Sequence, residues 1–254
     1  MVPDLPMHAQ QTEHRRPYRL VVFITQLPQG TASRPPSLDL IARWLSPEEV
    51  HRIHRFRRTA DKWSFVVGRA LTRLLLHKHA EITHAKLVVP PRGKPLLERS
   101  GDEQIDLSIS HEGDWIAAAV AFGCRIGIDV STADHFQDWQ QFAKSYLQSA
   151  EQLHVSSLNT SDQPEEACRL WTAKEAIVKA TGHGFSVDPK SVGLETKRLT
   201  PQVLPPELPQ PQTYSVFYHC LRSARLSVAI QSGLIMHEHV PTCELTEISF
   251  SALQ

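Results

Sequence analysis

This chain has few of the residues that would announce a metal cluster, a redox couple or a secreted scaffold. Its four cysteines, Cys124, Cys168, Cys220 and Cys243, form no CxxC pair. That argues against a zinc ribbon, a thiol redox motif and a disulfide framework, and leaves buried thiols as the expectation. Long apolar runs are missing too. LVVFI at 20–24 and IAAAVAF at 116–122 are strand-sized, well short of the ~18 residues that a bilayer-spanning helix needs. Residues 1–17, MVPDLPMHAQQTEHRRP, carry prolines and charges where a secretory signal would carry an apolar core. The expectation is a disordered leader over 1–17 and a cytoplasmic protein that does not enter a membrane.

Net charge is absent as well. Lys and Arg number 27 and Asp and Glu number 27, so the molecule as a whole has no electrostatic reason to seek nucleic acid. The balance conceals an asymmetry, because residues 43–99 hold 13 basic against 5 acidic side chains while residues 101–166 hold 2 against 12. Basic side chains serve polyphosphates and acidic ones serve divalent cations, so a site between the two regions is able to hold both. Two differently solvated surfaces would give the same count. The histidine pairs HKH at 77–79 and HEH at 237–239 do not read as zinc sites, since the i, i+2 spacing points ligands apart on a helix and HExxH is missing. No GxSxG elbow supports a hydrolase.

What is present is enough for a core: 254 residues, 41% of them hydrophobic. YRLVVFITQ at 18–26 is rich in β-branched and aromatic residues and predicts the first strand. Ser46 and Pro47, with Glu48 and Glu49 behind them, mark a helix start. A long helix is predicted over 59–79 from Trp63, Val66, Val67, Ala70, Leu71, Leu74 and Leu75 at helical spacing. Short strands around a Pro-Pro turn are expected over 85–97, then strands at 105–110, 115–121 and 124–131. After that the pattern repeats: helical YLQSAEQLHV at 146–155 echoes WLSPEEVHRI at 44–53, a helix over 165–182 echoes the long one, and strands follow at 192–195, 214–221 and 225–230. The Pro-rich stretch 201–212 is expected to be a surface loop. The fold class is α+β, in two similar α+β halves, 18–123 and 124–254, that meet near Phe122 to Arg125 with a groove between them.

RLWTAKEAIVKATGHG, from Arg169 to Gly184, reads as the principal helix, stopped by a glycine. Trp171, Ala173, Ala176, Ile177 and Ala180 form its apolar stripe, and Lys174, Glu175 and Lys179 lie off it. Taken alone, Glu175 and Lys179 are an i, i+4 surface pair worth about 0.3 kcal/mol.

Three compact stretches precede that helix: GKPLL at 93–97, SISH at 108–111 and GIDV at 127–130. In this order, and with SPEEVHRIHRF at 46–56 before them, they resemble the 4′-phosphopantetheinyl transferase superfamily, in particular its larger surfactin-type group. The similarity spans roughly residues 20–230. It implies pseudo-twofold symmetry between the halves, a monomer, and transfer of 4′-phosphopantetheine from coenzyme A to a serine of an apo acyl carrier or peptidyl carrier protein, with 3′,5′-ADP released. It implies Mg²⁺, with Mn²⁺ able to replace it, held by Asp129 and Glu175. Arg52, Gly93, Lys94, Pro95, Ser110 and His111 would bind coenzyme A together with Asp129, Glu175 and Lys179. Glu175 would act as base and Lys179 would stabilise the leaving group, with Asp129 completing the catalytic set.

Two positions depart from the family pattern. Ser131 stands where many members have a second acid two residues after the first, and Ser64 stands where a basic residue is frequent. These departures motivate a rival from another class, a non-catalytic module that binds coenzyme A or a carrier.

Overall fold

The computed structural model describes residues 18–88, 90, 94–98, 104–182, 187–232 and 242–254. The expected leader, Gly93, Gly184 and the HEH triplet at 237–239 lie outside the described residues.

The chain forms the α+β arrangement that its periodicities predict. Strand β1 (Arg19–Gln26) is followed by helices α1 (Leu38–Trp44), α2 (Pro47–Ile53) and α3 (Thr59–Ala80). Short strands β2 (Leu87–Val88) and β3 (Leu96–Leu97) lead to β4 (Ile105–Glu112), β5 (Trp115–Phe122) and β6 (Arg125–Thr132). Helices α4 (Trp139–Tyr146), α5 (Ser149–Ser156) and α6 (Gln163–Thr181) come next. Strands β7 (Gly193–Leu194), β8 (Pro201–Val203), β9 (Tyr214–Leu221), β10 (Ala224–Gln231) and β11 (Thr242–Glu247) complete the chain.

One sheet runs β11-β1-β5-β4 and a second runs β6-β10-β9. Because side chains alternate along a strand, each sheet buries two faces. Helix α3 lays Val66, Val67, Ala70, Leu71 and Leu75 on one face of the first sheet, against Val21, Phe23, Leu107 and Val120. Helix α6 covers the second sheet. Between the sheets, Leu20, Val22, Ala117 and Ala119 share a third core with Ile126, Ile128, Leu226 and Val228. Hence every residue of β5 is buried.

Each half ties its short helix to its long one in the same manner. In the first, Ser46 and Glu49 form a capping box at the start of α2, and Glu49 also receives Arg69 and Arg73 of α3, each at 2.7 Å. In the second, Gln148 and Glu151 form the capping box of α5, and Glu151 receives Lys174 of α6 at 2.6 Å. A capping box satisfies helix N–H groups that have no partner within the helix. Here its carboxylate also anchors a neighbouring helix.

The structure departs from the sequence reading at several places. Of the thiols expected to be buried, Cys124 and Cys168 are, whereas Cys220 is exposed. Lys174, expected off the apolar stripe, is fully buried, because Glu151 and the Tyr146 carbonyl oxygen satisfy its ammonium. The segment 146–155 is divided: α4 ends at Tyr146, and extended backbone at Leu147 and Gln148 separates it from α5. The stretch 201–212 contains β8, paired with β7. The last residues do not stay with the second half. Strand β11 pairs parallel to β1, and Phe250 and Leu253 enter the core beneath α3, so the tail returns to the first half. Among the described residues, no helix is long and apolar enough to cross a membrane.

Candidate functional site

Strand β6 turns Ile126, Ile128 and Val130 into the core between the sheets. Its other face, Arg125, Gly127, Asp129 and Ser131, therefore points toward α6. Helix α6 ends where Gly182 adopts a left-handed φ of 77°, and Arg125 reaches across to the carbonyl oxygen of Thr181 at 3.0 Å.

Asp129, Ser110 and Lys179 meet at this crossing. Lys179 Nζ lies 2.6 Å from Asp129 Oδ1 and 3.1 Å from Ser110 Oγ. The Ser110 hydroxyl donates to the same Oδ1 at 2.8 Å. Lys179 thus pairs with Asp129, and the simple i, i+4 bridge to Glu175 is not what the helix forms. Glu175, half-buried one turn earlier on α6, has a raised pKa. Burial is the larger cause and the negative charge of Asp129 the second, with Lys179 opposing both. His111 is partly open to solvent, yet desolvation and then the charge of Lys179 lower its pKa, so its imidazole is favoured in the neutral form near pH 7.

Beneath this cluster a side-chain ladder joins the two sheets. Asp106, Ser108 and Ser110 alternate along β4, and their oxygens accept the backbone N–H groups of Ile126, Ile128 and Val130 at 2.8, 3.1 and 3.2 Å. The free edge of β6 is in this way satisfied by side chains instead of a backbone ladder. Asp106 and Ser108 were not singled out from the sequence. The signal was available in IDLSIS, where Ile105, Leu107 and Ile109 alternate with three polar residues on a strand that lies inside the protein.

Lys94 closes the far end of this ladder. Its ammonium pairs with Asp106 and donates to the carbonyl oxygen of Ile126 at 2.6 Å; burial lowers its pKa and Asp106 opposes the shift. Pro95 follows it in the chain. The structure places Lys94 at the Asp106 end of the seam, four strand positions from Ser110, and not at Asp129. Arg52 is exposed on α2, its guanidinium 5.5 Å from the Phe65 ring centre. Ser64 is buried in α3. Ser131 is buried on the same face of β6 as Asp129, near the Cys168 thiol, whose pKa burial raises and Ser131 acts to lower.

Among the described residues, no group of three or more His, Cys, Asp and Glu side chains is placed to hold a metal ion. What the chain offers is a pair of carboxylates, Asp129 and Glu175, near enough to repel each other, with Lys179 as the neighbouring cation. Mg²⁺ suits such a donor set, because it rarely has an all-protein cage and takes water and phosphate oxygens to complete six-fold coordination. An open cleft of about 1360 Å³ lies elsewhere, lined by Arg34, Trp63, Asp114 and Arg222 among others.

Comparison with known proteins gives two family matches. The model of the 4′-phosphopantetheinyl transferase superfamily matches residues 125–229, and that of the 4′-phosphopantetheinyl transferase N-terminal region matches residues 32–122. The chain is 30% identical over 152 residues to 4′-phosphopantetheinyl transferase HetI of Nostoc sp., covering 59% of this chain and 64% of that one. It is 26% identical over 186 residues to the human L-aminoadipate-semialdehyde dehydrogenase-phosphopantetheinyl transferase, covering 69% and 58%. With 4′-phosphopantetheinyl transferase psf-1 of Bacillus pumilus the identity is 25% over 168 residues, covering 65% and 70%. The match thus takes in less than two thirds of the length of HetI and of the human relative.

Proposed function

Because this chain belongs to the 4′-phosphopantetheinyl transferase superfamily, we propose that it moves the phosphopantetheine group of coenzyme A onto a serine of an apo acyl or peptidyl carrier protein. The observation that carries this reading is the convergence of Asp129, Glu175, Lys179 and Ser110, from three elements and both sheets, on one polar point.

Asp129 and Glu175 would hold Mg²⁺, or Mn²⁺ in its place, and the bound ion would supply charge neutralisation at the pyrophosphate. The chain's own groups would do the rest. The Glu175 carboxylate accepts the proton of the carrier serine, directly or through a water. The serine oxygen then forms a bond to the β-phosphorus of coenzyme A as the bond to the 3′,5′-ADP oxygen breaks. Negative charge builds on that departing oxygen, and the Lys179 ammonium is positioned to stabilise it. Arg52 and His111 remain candidates for the 3′-phosphate. His111 adjoins the cluster, whereas Arg52 would meet the ligand from α2.

The test is incubation with coenzyme A, Mg²⁺ and an apo carrier, followed by mass spectrometry of the carrier. A gain of one phosphopantetheine group supports transfer. Tight retention of coenzyme A or carrier without modification would overturn it in favour of a binding module.

A further inference from the structure

Arg52 is exposed on α2, and two acids of the same helix stand where they could pair with it. Glu48 and Glu49 lie four and three residues before it, the spacings at which side chains are neighbours on a helix surface. Both are engaged elsewhere. Glu48 accepts the Ser46 hydroxyl at 2.8 Å. Glu49 is buried, with Oε1 on Arg69 and Oε2 on Arg73 and the Ser46 N–H. Among the described residues Arg52 forms no ion pair, and its guanidinium rests 5.5 Å from the centre of the Phe65 ring. That ring is half-buried on α3 and braced by Phe56 at 5.3 Å. Arg69, already neutralised by Glu49, lies 4.9 Å from the same ring centre.

We propose that Phe65 is a positioning residue for Arg52, restraining its guanidinium without neutralising it so that the charge is kept for the 3′-phosphate of coenzyme A. A free surface arginine carries large rotamer entropy, which a phosphate contact has to overcome. A guanidinium already laid on an aromatic ring loses less of that freedom on binding. A carboxylate in the same place would also restrain Arg52, but it would occupy the fork of donors that suits a phosphate. The ring attracts the cation through its quadrupole and leaves those donors unused. This inference rests on the reading that Arg52 meets the 3′-phosphate.

Coenzyme A and dephospho-coenzyme A share the pyrophosphate and the pantetheine arm, so the ratio of their dissociation constants isolates the 3′-phosphate. The experiment is isothermal titration of each into wild type, Phe65→Leu, Phe65→Tyr, Arg52→Ala and the Arg52→Ala, Phe65→Leu double variant. Mg²⁺ is in excess, no carrier is present, and thermal unfolding checks folding. An exposed cation–π contact corresponds to about a 2- to 5-fold change in a binding constant. Phe65→Leu should reduce the preference for coenzyme A by that factor and leave dephospho-coenzyme A near its wild-type affinity. Phe65→Tyr, which keeps the ring, should retain the preference. In the Arg52→Ala background, Phe65→Leu should remove no further preference. Phe65→Met, apolar and without a ring, repeats the measurement if Phe65→Leu does not fold. Equal weakening of both ligands by Phe65→Leu would overturn the proposal, since a merely structural role acts on both. So would the same loss of preference with and without Arg52. If Arg52→Ala kept the full wild-type preference, Arg52 would not be reading the 3′-phosphate, and this inference would fall with that reading.

Discussion

Gly127 lies so close under Ala176 that a Cβ on it would overlap the Ala176 carbonyl oxygen and the Ala180 amide nitrogen, and would stand 2.9 Å from the Lys179 carbonyl carbon. The backbone of α6 therefore rests directly on that of β6. Glu175 and Lys179 flank this contact along the helix, which is why short-range chemistry with Asp129, two residues beyond Gly127, is possible at all.

Gly127→Ala should force the helix off the strand. Overpacking costs about 1–3 kcal/mol and sometimes more, and here the obstacle is backbone, which cannot rotate away. We expect a lower melting temperature and transfer reduced at least about 100-fold, a larger loss than stability alone explains, since a misplacement of about 1 Å in catalytic geometry is enough to cost that much. Melting curves and transfer rates measured on the same preparation check this; near-normal values of both would show that α6 tolerates displacement.

Glu175→Gln should leave the fold intact, because Lys179 is paired with Asp129 and does not depend on Glu175. An amide cannot take up the serine proton and is a weaker ligand for Mg²⁺, so transfer should fall by about 100-fold or more, in the range that general bases contribute. Lys179→Ala should reduce turnover more than it weakens coenzyme A binding. Circular dichroism with steady-state kinetics decides both, and wild-type-like transfer by the Glu175 variant would sink the mechanism.

Lys174→Met removes one partner of a fully buried ion pair and leaves Glu151 charged in the interior. Breaking such a pair from one side costs about 3–5 kcal/mol. Glu151 keeps its bonds to the backbone N–H groups of Gln148 and Leu194, so Glu151→Leu should be at least as damaging. Chemical denaturation of both variants checks the order. A loss below about 1 kcal/mol for Lys174→Met would show that the pair contributes little.

Ser131→Glu places a carboxylate on the face of β6 that carries Asp129. We expect tighter half-saturation by Mg²⁺ in the presence of coenzyme A, with turnover free to move in either direction because added negative charge also opposes the pyrophosphate. Arg225 stands opposite position 131 in the strand register. An unchanged Mg²⁺ requirement in a folded variant would mean that the new carboxylate pairs there instead.

Much of the fold was legible because it depends on local pattern. The β-branched and apolar runs of β1 and β5, the alternation in β4 and β6, the helical spacing in α3, and the Ser46 cap each state their element within a few residues. The short α1 and β11 were missed: seven and six residues give a period too little length to register, and β11 is held by parallel pairing with a strand more than two hundred residues away in the chain. Lys174 was misplaced for a related reason. A lysine beside an apolar stripe is ordinarily solvated, and the carboxylate that allows its burial lies on another helix.

The sequence by itself determined the α+β class, the long helices, the strand that carries Asp129 and, through its motifs, the family. Tertiary structure alone decided the partners: Lys179 turns to Asp129 and away from Glu175, Lys94 to Asp106, and Ser110 to both strand and acid. Periodicity fixes which face a side chain occupies, because that depends on the backbone of its own element. Which charge it meets depends on the approach of other elements, and here that approach is set by the bare backbone of Gly127 and by three side-chain rungs between two sheets.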